Sequence, residues 1–174
     1  MNHLFSNILV AGCTLLTCTS VTMAQDAYIG KNTITINDGL MTPEALWAMG
    51  RIGAVQASPN GQKIVYQVGY YSVKANKGHQ VLYVSDSNGE NKRLLTTTSK
   101  NETDPTWLDN NTIAYLYNGQ IWKMDINVEN RKQLTNDSID IEGFKFSPNR
   151  KYVILLKSLP YYGSIKKNPS DLPK

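Results

Sequence analysis

Most of the chain from Ile52 onward alternates between apolar and polar residues, which is the pattern of half-buried β-strands. Residues 63–70 and 80–86 are rich in Val, Ile and Tyr, which are common in strands. Two tight-turn signals, Asn88 with Gly89 and Asn118 with Gly119, lie beside such runs. The pattern predicts an all-β fold of short antiparallel strands.

Residues 82–111 and 121–150 carry one sequence pattern twice, aligned without a gap at an offset of 39 residues. The matched pairs are Asp86 and Asp125, Asn88 and Asn127, Glu90 and Glu129, Asn91 and Asn130, Leu95 and Leu134, Thr96 and Thr135, and Trp107 and Phe146. A period of about 40 residues with several strands per unit is typical of a β-propeller blade. We therefore predict an incomplete β-propeller over residues 52–174, with two four-stranded blades and the start of a third. Residues 105–108 and 141–146 are the predicted fourth strands of the first two units.

A short helix is predicted at residues 42–50, inside an N-terminal segment that comprises residues 25–51. Thr42 suits the N-cap, Pro43 suits the first helical position, and Glu44 complements the helix dipole. Gly50 is expected to end the helix in the left-handed conformation. A helix of this length is stable only when it packs against other structure.

Residues 1–24 have the features of a secretory signal peptide. They contain no Asp, Glu, Lys or Arg, and an apolar run at residues 8–16 precedes small residues before Gln25. We predict an exported protein, periplasmic or secreted; a lipoprotein signal ending at Cys13 is the alternative. The apolar run is too short to span a membrane.

The cysteines and the charges exclude several classes of function. Cys13 and Cys18, the two cysteines of the chain, both lie in the predicted leader. A mature chain without them can form no disulfide, no cysteine-ligated zinc site and no cysteine nucleophile. The net charge of +4, from 18 basic and 14 acidic residues, is dispersed along the sequence and does not predict a nucleic-acid partner.

Three sequence stretches carry a resemblance to one family. Residues 41–51 (MTPEALWAMGR) form a short helical segment before the first blade, and residues 57–66 (ASPNGQKIVY) open a blade strand. The latter pattern recurs at residues 146–151 (FSPNRK), and residues 158–163 with 168–174 form a terminal stretch. Together they resemble the exported prolyl-oligopeptidase-type serine peptidases, in the acylaminoacyl- and dipeptidyl-peptidase branch, over roughly residues 40–174. Asn60 stands where that family usually has Asp, and Arg150 where it usually has Gly.

The resemblance implies that the propeller is an accessory domain. In that family it covers a C-terminal α/β-hydrolase domain, which carries a Ser-Asp-His triad, and it limits access to peptide-sized substrates. This chain contains no G-x-S-x-G sequence, so we assign it no catalytic, cofactor-binding or metal residue and no cofactor. The chain alone should be inactive, and as two blades with an open edge it should be marginally stable and prone to aggregate.

Individual candidate residues have structural interpretations. His79 lies in an insertion at residues 70–79, interpreted as a hairpin loop, and is expected to be solvated. That insertion is either a binding feature or plain variation of loop length. Asp86 and Asp125 are expected to accept turn N–H groups rather than to bind calcium. Glu102 and Glu142 stand singly, without a second acid to form a pair. Tyr83, Trp107, Trp122 and Phe146 recur at repeat positions and are expected in the core.

Two other interpretations stay open. A non-enzymatic propeller would act as a protein-binding scaffold, as in the periplasmic propeller protein of the Tol system, which the blade motifs also resemble. Alternatively, the chain could be a short product that is stable only with a partner. The predicted helix favours the peptidase interpretation over the scaffold.

Overall fold

The computed structural model describes residues 29–32, 34, 36 and 39–159. The predicted signal peptide, and residues 160–174 with most of the terminal stretch, lie outside the described residues. The described chain forms one short helix and ten strands. The elements are α1 (Pro43–Ala48), β1 (Arg51–Ala57), β2 (Lys63–Ser72), β3 (Lys77–Asp86), β4 (Arg93–Leu94), β5 (Glu102–Trp107), β6 (Thr112–Tyr117), β7 (Gln120–Asp125), β8 (Lys132–Gln133), β9 (Gly143–Phe146) and β10 (Val153–Leu156).

The strands form three antiparallel sheets in which neighbours in sequence pair with one another. Sheet 1 contains β1–β4, sheet 2 contains β5–β8, and sheet 3 contains β9 and β10. These are the two four-stranded blades and the start of a third, so the predicted partial β-propeller is confirmed. The assignment of strands to units was wrong by one strand, however. Residues 105–107 belong to β5, which begins sheet 2, and residues 141–146 include β9, which begins sheet 3.

Apolar side chains fill the spaces between the sheets. One buried cluster joins sheets 1 and 2 and includes Val65, Leu82, Trp107 and Tyr115. A second cluster joins sheets 2 and 3 around Leu116. The indole Nε1 of Trp107 also donates a hydrogen bond of 3.0 Å to the carbonyl oxygen of Gln56, which connects β5 to β1. The sheets are therefore stacked face to face, as in consecutive propeller blades.

The helix α1 begins as predicted but ends differently. The Thr42 hydroxyl accepts a hydrogen bond of 3.2 Å from the Ala45 amide, and Pro43 is the first helical residue. Met49 ends the helix in an extended conformation, and Gly50 does not have a positive φ. The expected left-handed role of Gly50 was wrong. A Cβ at Gly50 would lie 2.8 Å from the Tyr70 ring and 2.9 Å from a methyl group of Val68, so the glycine is needed for close packing.

Candidate functional site

The two equivalent aspartates lie in loops that share one hydrogen bond. Asp86 accepts a hydrogen bond of 2.6 Å from Asn91, and Asp125 accepts one of 2.6 Å from Asn130. Asp86 also forms an ion pair of 2.9 Å with Lys63. The hydrogen bond from Asn91, and next the one from Lys63, hold the pKa of Asp86 below its ordinary value. Both carboxylates are structural, as expected, but their partners are side chains and not the turn N–H groups that the sequence suggested.

The Ser-Pro-Asn motifs also act as turns. Ser58 donates a hydrogen bond of 2.7 Å to the Asn60 side chain, and Ser147 donates one of 2.8 Å to Asn149. Gly61 has a φ of 68° in the first turn, and Arg150 has a φ of 58° in the second, which is the departure noted in the sequence. The motif therefore shapes the backbone and provides no chemistry.

His79 is buried, so the expectation of a solvated histidine was wrong. The insertion is a continuation of the β2–β3 hairpin rather than a loop, because pairing continues to Ser72 opposite Lys77. His79 lies on β3 with 4% of its surface exposed. Its Nδ1 is 2.8 Å from the carbonyl oxygen of Ile29 and its Nε2 is 3.3 Å from that of Lys100. Held between backbone carbonyl groups, this imidazole ties three segments together.

Glu102 is the most unusual ionisable group in the described chain. Its side chain is fully buried, and its Oε1 lies 3.4 Å from Nη2 of Arg131. The other oxygen, Oε2, has no hydrogen-bond partner in the described part of the chain. Burial raises the pKa of Glu102 to about 7, and the Arg131 guanidinium offsets only part of that rise.

Aromatic rings hold Arg131 in place. Its guanidinium carbon lies 4.6 Å from the ring centre of Tyr117, 5.2 Å from that of Trp122 and 5.8 Å from that of Tyr115. These rings belong to the face of sheet 2 that packs against sheet 1. A carboxyl group sealed there cannot reach a substrate, so the pair serves the junction between the sheets. The sequence analysis noted Glu102 only as an isolated acid and did not predict this pair.

A cavity of about 390 Å³ lies against the outer face of sheet 1, the face opposite to sheet 2. Its wall includes α1 residues, Ile52 on β1 and the tyrosines Tyr66 and Tyr83. Lys31 and Lys92 are the charged side chains among the described residues that line it. The phenolic oxygen of Tyr66 is buried without a hydrogen-bond partner in the described structure. The cavity is thus mainly apolar, with two lysine residues in its lining.

The remaining features are structural. The four aromatic side chains expected in the core, Tyr83, Trp107, Trp122 and Phe146, all lie in or against the apolar clusters. Within the part of the chain that the structure describes, no group of three His, Cys, Asp or Glu residues is placed to hold a metal ion. No helix among residues 39–159 is long and apolar enough to cross a membrane.

Comparison with curated proteins identifies two similar peptidases, although no protein-family model matches the chain. The chain is 30% identical over 145 residues to dipeptidyl-peptidase 5 of Porphyromonas endodontalis, which covers 80% of this chain and 21% of the relative. It is 31% identical over 139 residues to dipeptidyl-peptidase 5 of Porphyromonas gingivalis, covering 77% of this chain and 20% of the relative. The chain therefore spans about a fifth of the length of these curated relatives.

Solved structures agree at the level of the fold. The acylaminoacyl peptidase of Pyrococcus horikoshii aligns with a TM-score of 0.57 at 11% identity, over 74% of this chain and 20% of that one. The AtxE2 isopeptidase aligns with a TM-score of 0.50 at 18% identity, over 60% of this chain and 21% of that one. In sequence and in fold, the chain corresponds to the N-terminal β-propeller portion of the prolyl-oligopeptidase-type peptidases.

Proposed function

We propose that the chain is the propeller portion of an exported serine peptidase that hydrolyses oligopeptides, of the dipeptidyl-peptidase type. The observation that carries the proposal is the 30% identity to a dipeptidyl-peptidase 5 over 145 residues of this chain. Residues 1–24, with their uncharged apolar run, support export.

The chemistry belongs to a part of the enzyme beyond this chain. A hydrolytic triad needs a serine activated by a histidine that a carboxylate orients. His79 binds backbone carbonyl groups, and Glu102 is sealed between two sheets beside Arg131. The relatives extend over roughly five times the length that the chain matches, which leaves room for a C-terminal α/β-hydrolase domain with the triad.

The propeller contributes by limiting which substrates reach that domain. Stacked blades present a rigid wall, since their faces are packed against each other and only loops and strand edges meet solvent. A rigid propeller beside the hydrolase domain lets extended oligopeptides reach the active site and keeps folded proteins out. The role of residues 52–174 is therefore selection by size.

Two measurements test the proposal. One is an activity assay with dipeptidyl chromogenic substrates, and the other is labelling with a fluorophosphonate, which reacts with activated serines. The product of the complete coding sequence should turn over these substrates, should cleave oligopeptides and should leave folded proteins intact. Residues 25–174 alone should show neither turnover nor labelling. Turnover by residues 25–174, or a complete protein that neither hydrolyses nor reacts, would contradict the proposal. N-terminal sequencing of the exported protein should begin at Gln25.

A further inference from the structure

The chain has three Asn-Gly pairs, in which glycine follows Asn60, Asn88 and Asn118. In such a pair the glycine amide nitrogen can attack Cγ of the asparagine, because glycine has no side chain to hinder the approach. The new N–Cγ bond closes a succinimide ring, and the side-chain nitrogen leaves as ammonia with the proton of the glycine amide. Water then opens the ring at either of its two carbonyl groups and leaves aspartate or isoaspartate. The surroundings of each pair decide how readily it reacts.

The attacking nitrogen is already engaged in the first two pairs. The Gly61 amide donates a hydrogen bond of 2.8 Å to the carbonyl oxygen of Ser58. The Gly89 amide donates one of 2.9 Å to the carbonyl oxygen of Asp86. Each of these bonds must open before the nitrogen can turn towards the asparagine side chain.

The carboxamide groups of the same two pairs are held at both ends. Nδ2 of Asn60 donates a hydrogen bond of 3.1 Å to Oε1 of Gln62, and Nδ2 of Asn88 donates one of 2.9 Å to Oε2 of Glu90. Their Oδ1 atoms accept hydrogen bonds of 3.2 Å and 3.0 Å from the backbone amides of the same two partners. Both groups are therefore fixed to the residue two positions further on, and ring closure would break these bonds.

The third pair has neither restraint. Within the described part of the chain the Gly119 amide donates to no acceptor, and Nδ2 of Asn118 has no hydrogen-bond partner. Oδ1 of Asn118 accepts a hydrogen bond from the Lys100 ammonium group. Negative charge develops on this oxygen while the nitrogen attacks Cγ, and a charged donor stabilises it more strongly than a neutral one does.

We infer that Asn118 is a site of spontaneous deamidation, and that Lys100 promotes the reaction by stabilising the oxyanion. The Asn118 side chain is exposed at the turn between β6 and β7, so water reaches the ring that has to be opened. The reaction needs no enzyme, and the inference is independent of the proposed function.

The modification acts on the contact between sheets 2 and 3. Isoaspartate adds one methylene to the backbone of a turn that pairs Tyr117 with Gln120. The carbonyl oxygen of Gly119 accepts a hydrogen bond of 2.9 Å from the amide of Ile141, which is buried in the cluster between the two sheets. A longer turn displaces this carbonyl group, so deamidation should loosen sheet 3 from sheet 2 as the protein ages.

Peptide mapping by mass spectrometry tests the site in the complete protein, with the other two pairs as internal controls. In the folded protein Asn118 should convert about tenfold or more faster than Asn60 and Asn88, since at those two sites several hydrogen bonds have to break first. In urea the three pairs should convert at similar rates. Equal conversion of the three pairs in the folded protein would overturn the inference, as would an equal preference for Asn118 in urea, which would assign the preference to local sequence.

The part of Lys100 is tested by Lys100→Met, which keeps the alkyl chain and removes the charged donor. Conversion at Asn118 in the folded protein should slow by roughly threefold or more, because a charge-assisted hydrogen bond is lost from the developing oxyanion. Lys74→Met removes the same charge at an exposed position of the β2–β3 turn and should leave the rate unchanged. An unchanged or faster rate in Lys100→Met would refute the role of Lys100.

Asn118→Gly tests the structural consequence, because glycine adopts the positive φ of 52° at this position and has no carboxamide. After prolonged incubation the melting temperature of the parent should fall in proportion to the converted fraction, and that of Asn118→Gly should not. A parent that converts without any fall, or an equal fall in both proteins, would contradict the loosening of sheet 3.

Discussion

Glu102 couples the stability of the sheet junction to pH. Its pKa is about 7 in the folded protein, against an ordinary value of 4.5, because burial penalises the charged carboxylate. The folded state therefore holds this proton more tightly than the unfolded chain does. The stabilisation that protonated Glu102 contributes to the folded state is fully present below about pH 4.5, and it is lost as the pH rises through 7.

Glu102→Gln should remove that dependence. A shift of this size corresponds to about 3 kcal/mol, so the variant should gain up to that amount over the parent between pH 5 and pH 8. Urea unfolding at a series of pH values measures the difference in the free energy of unfolding. Arg131→Gln is the companion variant: it should move the loss of stability to higher pH, because the guanidinium lowers the pKa of Glu102. Parallel curves for parent and Glu102→Gln would show that the carboxyl group does not titrate as described.

Val128 occupies a backbone conformation that suits glycine. Its φ is 72°, and the equivalent residue of the first loop is Gly89, with a φ of 85°. A β-branched residue is strained in this region. Val128→Gly should raise the free energy of unfolding by about 1 kcal/mol, measured by urea unfolding. Gly89→Val is the reverse substitution and should lower it by a similar amount; a stabilising effect of Gly89→Val would rule out the strain.

At the scale of elements, Gly50 determines how closely the chain after α1 approaches β2. A Cβ at this position would come within 2.8 Å of the buried Tyr70 ring. Gly50→Ala should therefore destabilise the protein by about 1–3 kcal/mol, as overpacking does. Gly69→Ala is the control, since its Cβ would meet nothing closer than 3.8 Å. Thermal unfolding compares the two; equal melting temperatures would contradict the steric role of Gly50.

The start of a helix or the position of a turn was predictable from the sequence where residues close in sequence determine it. Thr42 and Pro43 determine the start of α1, and Asn118 with Gly119, at φ values of 52° and 69°, form the tight turn between β6 and β7. The role of Gly50 after α1 was not predictable, because it depends on Tyr70, which is distant in sequence. The β2–β3 hairpin was misread as a loop because Lys, Asn and Gly at its tip conceal strands that pair as far as Ser72 and Lys77.

At the scale of the whole molecule, the repeat predicted the propeller but not the boundaries of its blades. A period gives the length of a unit without showing where the unit begins, so residues 105–108 could close one sheet or open the next. The pairing of Thr106 with Ala114 and of Trp107 with Ile113 places this strand in sheet 2. The pair of Glu102 and Arg131 joins positions 29 residues apart and follows from no local pattern. In sheet 1 the corresponding position is held by Ile52, which pairs with Val68 as Glu102 pairs with Tyr117.

The hydrogen bond from Trp107 to Gln56 has a spectroscopic consequence. The chain has three tryptophans, and this indole is 3% exposed at the contact between sheets 1 and 2, whereas Trp47 lies on α1 and is 42% exposed. Separation of the first two blades would bring water to Trp107 and shift its emission to longer wavelength, even with each sheet still paired within itself. A red shift of the intrinsic fluorescence that precedes the loss of the far-ultraviolet circular dichroism of the strands would therefore report parting of the blades before their strands melt.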